Sequence, residues 1–176
     1  MSVGELHHVV VSVSDMDRSL TFYRDGLGLR KTLDIEVSGE DLQRMLAAPP
    51  GMRGRTVYVQ GPSRIGQVEL VEWRPMLEDA TPPKRIGEPG VTVLSFPVER
   101  EELVDLYDHL QALGFECVSE PGTTVLDDYG EIAAFLVRDP DGNLVELVSL
   151  PSDEEVRRFR AESRSSDATE TEEGTA

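Results

Sequence analysis

A four-residue sequence that occurs twice constrains this chain more than any other feature. Val68-Glu69-Leu70-Val71 and Val145-Glu146-Leu147-Val148 are the same letters in the same order. Both are rich in β-branched residues, as strands are. Each places one carboxylate inside an otherwise apolar run, which is costly unless the group is exposed or paired. The likeness extends upstream, because each copy opens on an apolar strand followed by a helix. The first copy runs from Glu5 to near Trp73 and the second from near Gly90 to Leu150. Such a degenerate repeat predicts one supersecondary unit used twice.

Local signals fill in the unit. Leu6 to Val13 reads as a strand, Ser14 or Asp15 as a helix cap, and Leu20, Phe22 and Tyr23 as an apolar helix face stopped by Gly26 or Gly28. In the second copy Val91 to Val98 is the strand and Glu101 to Leu113 the helix, stopped by Gly114. Leu103, Leu106, Leu110 and Leu113 form a single stripe at helical spacing. Two further strands fit in each copy, at Arg30 to Val37 and Gly54 to Gln60, then at Phe115 to Ser119 and Ile132 to Val137. Each copy is therefore βαβββ. Ser38–Arg53, with a short helical piece at Asp41 to Ala47, and Glu120–Glu131 read as irregular. The expected division is a module at 5–73, a Pro-rich linker at 74–89, a module at 90–150 and a charged tail at 151–176. A short helix is expected from Asp153 to Glu162, and disorder from Ser163 onward.

Charge excludes some partners. The net charge is −17, and residues 151–176 carry only 8 acids and 4 bases of it. The acidity therefore belongs to the folded body and repels nucleic acid and anionic membranes. No run approaches the roughly 18 apolar residues of a membrane span. Met1-Ser2-Val3-Gly4-Glu5 has neither the basic region nor the apolar core of a signal peptide. The single cysteine, Cys117, has no partner for an intrachain disulfide. These features together predict a cytoplasmic protein.

The opening stretch His7-His8-Val9-Val10-Val11-Ser12-Val13-Ser14-Asp15, continuing into Ser19-Leu20-Thr21-Phe22-Tyr23-Arg24-Asp25-Gly26-Leu27-Gly28-Leu29, resembles that of vicinal-oxygen-chelate proteins. That superfamily includes glyoxalase I, methylmalonyl-CoA epimerase, extradiol dioxygenases and bleomycin-resistance proteins. The resemblance covers residues 5–150. It implies an α+β fold in which two βαβββ modules build a half-open, eight-stranded mixed sheet around a cavity, and a homodimer.

It also implies a metal site. Metal-dependent relatives take ligands from the first and last strand of each module, which here gives His8, Glu69 and Glu146. The fourth position, three before Phe96, is Val93, and valine cannot coordinate. One imidazole and two carboxylates suit Zn²⁺, Mn²⁺, Fe²⁺, Co²⁺ or Ni²⁺ and leave positions open for a substrate with neighbouring oxygens. The implied function is a divalent-metal-dependent lyase or isomerase working through an enolate, with Glu146 or Glu69 as the base. The alternatives are a metal-free protein that binds or sequesters a small molecule, and an extradiol-type dioxygenase. Convergence of His8, Glu69 and Glu146 favours the enzyme; divergence favours the binding protein. His7 reads as a surface or packing residue and His109 as solvent-facing. Tyr58, Trp73, Tyr129 and Phe135 are candidates for either core or cavity lining.

Overall fold

The computed structural model describes residues 3–76 and 85–162. The central part of the expected linker and the tail beyond residue 162 lie outside them.

The repeat folds as two four-stranded sheets of identical plan. In the first, β1 (His8–Ser12) lies parallel to β4 (Gln67–Arg74), which pairs antiparallel with β3 (Arg53–Gln60) and β3 with β2 (Arg30–Val37). In the second, β5 (Val93–Pro97) lies parallel to β8 (Leu144–Ser149), followed outward by β7 (Gly130–Arg138) and β6 (Gly122–Leu126). The registers superpose: Val10 stands opposite Glu69, and Ser95 opposite Glu146. His8 of the first module therefore corresponds to Val93 of the second. The edges of β1 and β5 face each other across an open cleft of about 360 Å³ lined by residues 9–12 and 91–94. No ladder joins these edges among the described residues, so the eight-stranded surface is not closed.

Helices cover the opposite face. Asp15 accepts a hydrogen bond from the Arg18 amide at 3.0 Å and caps α1 (Met16–Leu20), which continues as a wider π-type turn through Thr21–Gly26. A short helix, α2 (Glu40–Leu46), follows β2. Helix α3 (Leu103–Ala112) buries Leu103 and Leu110, while Leu113, the last residue of the predicted stripe, caps the helix and stays exposed. Gly26 sits where the two helical segments cross. A Cβ there would lie 2.9 Å from Leu110 Cδ2, so any larger residue would force the buried Leu110 side chain to shift. The final helix, α4 at 153–162, begins with a capping box: Ser152 Oγ accepts from the Glu155 amide, and Glu155 Oε2 accepts from the Ser152 amide at 2.8 Å. No helix among the described residues is long and apolar enough to cross a membrane.

One core serves both sheets. Phe22, Tyr23, Val57 and Leu70 from the first module pack in the same cluster as Leu110, Phe135, Val145 and Leu147 from the second. Polar contacts tie the halves as well. Tyr23 Oη donates to Asp139 Oδ2 at 2.9 Å, fully buried, and the Ser14 amide donates to Asp141. Burial, then the charge of Asp139, holds the Tyr23 hydroxyl well above its ordinary pKa. His109, expected to face solvent, remains exposed but donates from Nε2 to the Asp25 carbonyl.

One strand differs from the sequence reading. Phe115 to Ser119 makes a single bridge, Cys117 with Val137, and the edge strand is instead Gly122–Leu126. The segment still runs beside β7, where the Arg138 amide donates to the Glu116 carbonyl and the Val118 amide to the Leu136 carbonyl, while Phe115 and Cys117 pack against the shared core. Thr123, Thr124 and Val125 then form a local hairpin with β7, made possible by positive φ at Asp128 and Gly130.

Candidate functional site

Strand alternation sets the first half of the site. Val11 is buried against the helices, so His8, Val10 and Ser12 point to the opposite, open face. On β4 the buried Val68 and Leu70 flank Glu69, which therefore shares that face. The β3–β4 register places Tyr58 directly across from Glu69.

Three side chains meet there. His8 Nε2 lies 3.2 Å from Glu69 Oε2, and Tyr58 Oη donates to the same oxygen at 2.6 Å. The His8 and Tyr58 rings stand edge to face, 5.6 Å between centroids. Glu69 is 16% exposed and His8 33%, so the pair is partly desolvated yet reachable from solvent. No described residue hydrogen-bonds Glu69 Oε1. Burial first, then the hydrogen bond and charge of Glu69, push the Tyr58 hydroxyl up to about 12, so it remains a donor at neutral pH.

His7 also joins the site. Its Nδ1 lies 2.8 Å from His8 Nδ1, one ring donating and the other accepting. Simple alternation sends His7 to the opposite face, but β1 begins only at His8. His7 precedes the ladder, and its ring is free to fold onto its neighbour.

The second half of the expected constellation has different neighbours. Glu146 occupies the equivalent place on β8, but Ser95 Oγ donates to its Oε2 at 2.6 Å, and Leu136 stands across from it where Tyr58 faces Glu69. Val93 stands two residues before Ser95 on β5, on the same face as Glu146 and half-buried. Among the described residues no group of three His, Cys, Asp or Glu side chains is close enough to hold a metal ion. His8 and Glu69 suit one edge of a coordination shell, but the side chains as placed do not fit a complete metal centre.

The aromatic candidates separate. Tyr58 is in the site, Phe135 is core, and Trp73 packs on Gly54, where a Cβ would come within 3.0 Å of its ring. Tyr129 lies in the β6–β7 turn. The roles of Tyr58 and Ser95 escape a reading of the repeat alone. Counting outward from the Gly61–Gly66 turn pairs Tyr58 with Glu69, which is the signal for the first.

With fold and site described, the comparisons define the class. Residues 5–147 match the model of the Glyoxalase/Bleomycin resistance protein/Dioxygenase superfamily. The chain belongs to that superfamily, whose members bind small molecules and commonly divalent metals. Among particular relatives, it is 31% identical over 151 residues to a lactoylglutathione lyase-like protein, terB, of Aspergillus terreus, covering 83% of this chain and 75% of that one. It is 27% identical over 149 residues to the glyoxalase domain-containing protein RDO1 of Mycosarcoma maydis, covering 85% and 70%. A glyoxalase family protein from Bacillus cereus shares the fold with a TM-score of 0.72 at 17% identity, covering 86% of this chain and 97% of that one.

Proposed function

We propose that this chain binds a small organic molecule on the open face of its first sheet, anchored by Glu69, His8 and Tyr58. The observation that carries this reading is the single carboxylate oxygen of Glu69 held by both His8 and Tyr58. Tyr58 donates to that oxygen and the His8 ring nitrogen lies beside it, which fixes the carboxylate and leaves its other oxygen to accept from a ligand. A fixed, partly desolvated acceptor is the kind of polar anchor that orients a ligand in a mostly apolar site. Val10, Leu33 and Ile35 supply exposed apolar surface on the same face.

A second reading, a lyase or isomerase of the glyoxalase type, has support from the lyase-like relative and from Glu69 itself. An anchored carboxylate with one unengaged oxygen has the form of a general base for a proton next to a carbonyl. Tyr58, held protonated by its environment, steadies the base but is committed to it. In both readings Glu69 does the work assigned by resemblance to a pair of glutamates, and Glu146 does not take part.

The test is a library of small hydroxy acids, keto acids and thiol adducts. It is screened by thermal shift and calorimetry, with protein dialysed against chelator or against Zn²⁺ and Mn²⁺. The binding reading expects hits in chelator-treated protein that Glu69→Gln weakens about tenfold or more. Hits or turnover that appear only with metal, together with stoichiometric metal lost in His8→Ala, replace it with the metal-dependent enzyme.

A further inference from the structure

We propose that the cleft beside the Glu69 cluster is an oxyanion subsite, in which Arg30 and Arg64 take the carboxylate or phosphate group of the bound molecule. This rests on the binding reading above and names its ligand class.

The chain has 34 acidic and 17 basic residues. Nine of the fifteen described basic residues touch a carboxylate: Arg24, Lys31, Arg44, Arg55, Arg74, Arg85, Arg100, Arg138 and Arg158. Arg30 and Arg64, like Arg18, Arg53, Arg157 and Arg160, touch none among the described residues, and Arg30 and Arg64 share one cleft. Both line one open cleft of about 530 Å³, and none of the residues lining it is acidic. In so acidic a protein, a pocket of this kind is a local reversal of sign. Two guanidinium groups facing one space repel each other unless an anion lies between them.

The backbone under both arginines is held in place. Arg30 is the first residue of β2 and pairs with Gln60, the last of β3. Arg64 lies in the turn joining β3 to β4. Gln67 Nε2 donates to the Arg64 carbonyl at 2.9 Å, and Ser63 Oγ accepts from the Ile65 amide at 3.0 Å. Fixed backbones and planar forks are the conditions under which arginine recognises carboxylate or phosphate in a bidentate manner. His7 and Gln67 add donors to the same wall.

Tyr58 lines this cleft and also donates to Glu69. The subsite and the cluster are therefore the two ends of one site. A carboxylate oxygen accepts, so the ligand presents a hydroxyl, ammonium or acidic C–H to Glu69 while its anionic group faces the arginines. The ligand class is a small organic anion carrying a hydrogen-bond donor.

The probes are sodium phosphate and sodium succinate, titrated into the full ¹⁵N-labelled chain at constant ionic strength set by sodium chloride. Amide shifts that saturate and cluster at Arg30, Arg64 and Gln67 are expected. Arg30→Ala/Arg64→Ala should weaken the saturating anion at least tenfold, and Arg30→Lys/Arg64→Lys, which keeps the charge, should weaken it less. Arg53→Ala, at the far end of β3, should change it less than twofold. Saturation by phosphate alone assigns a phosphate group, and by succinate alone a carboxylate; either supports the subsite. Absence of saturation with both anions, or saturation that survives the double alanine variant, overturns it. A neutral ligand from the library whose affinity the double variant leaves unchanged also overturns the subsite while the Glu69 site stands. Saturation by phosphate with no library ligand at all would instead count against the Glu69 site.

Discussion

The two modules present the same acid in the same strand position and surround it differently. Glu69 has Tyr58 across from it and His8 beside it; Glu146 has Leu136 across from it and Ser95 beside it. The first arrangement joins an imidazole and a high-pKa phenol to a partly desolvated carboxylate. The second satisfies its carboxylate with a single exposed hydroxyl. Duplication thus preserved the strand plan, which core packing enforces, while the open faces diverged because no packing constrains them. On the reading proposed above, the binding chemistry belongs to the first module, and the second serves as its structural partner.

That view requires the halves to behave as one folding unit, which gives the largest effect. Asp139→Ala leaves the buried Tyr23 hydroxyl without its acceptor and removes the carboxylate that also binds the Asn143 amide and side chain. Loss of about 3 kcal/mol is expected for such a buried network, read from urea unfolding as a single transition at lower denaturant. Two separated transitions would instead make the modules independent.

The asymmetry itself is tested by paired variants. Glu69→Gln should weaken any ligand found in the screen about tenfold or more, or about 1.4 kcal/mol. Glu146→Gln should leave affinity within about twofold, or about 0.4 kcal/mol. Equal losses on calorimetry would restore Glu146 to the site.

A smaller effect follows from Tyr58. Its folded pKa lies above the unfolded value, so its contribution is fully present below pH 10 and disappears as the pH rises through about 12. Tyr58→Phe should cost about 1 kcal/mol at neutral pH and progressively less between those limits. The difference between the ultraviolet titrations of wild type and Tyr58→Phe should show a phenol with its midpoint near 12. A midpoint near 10 would mean that Glu69 does not hold it.

The smallest effect belongs to the second module. Ser95→Ala removes an exposed hydrogen bond, and its cost should stay under about 0.5 kcal/mol. A larger value in the same urea assay would give Glu146 a structural role that its exposed surroundings do not suggest.

Local chemistry made much of this protein legible in its sequence. Apolar periodicity and the doubled Val-Glu-Leu-Val define two βαβββ units, because side-chain alternation and helical stripes are properties of a few consecutive residues. Alternation alone also places His8 and the two glutamates on the open faces. The partners of those residues were a different matter. Tyr58 reaches Glu69, and Ser95 reaches Glu146, only through strand register, which many distant contacts settle together. The edge of the second module is shared: Glu116 and Val118 pair with the end of β7, and Gly122–Leu126 forms the longer ladder with its beginning, a division set by the β6–β7 turn and not by the apolar pattern. Whether the two halves of the expected constellation meet is likewise set by how the two sheets sit together, which no local pattern of residues specifies: the edges of β1 and β5 form no ladder among the described residues.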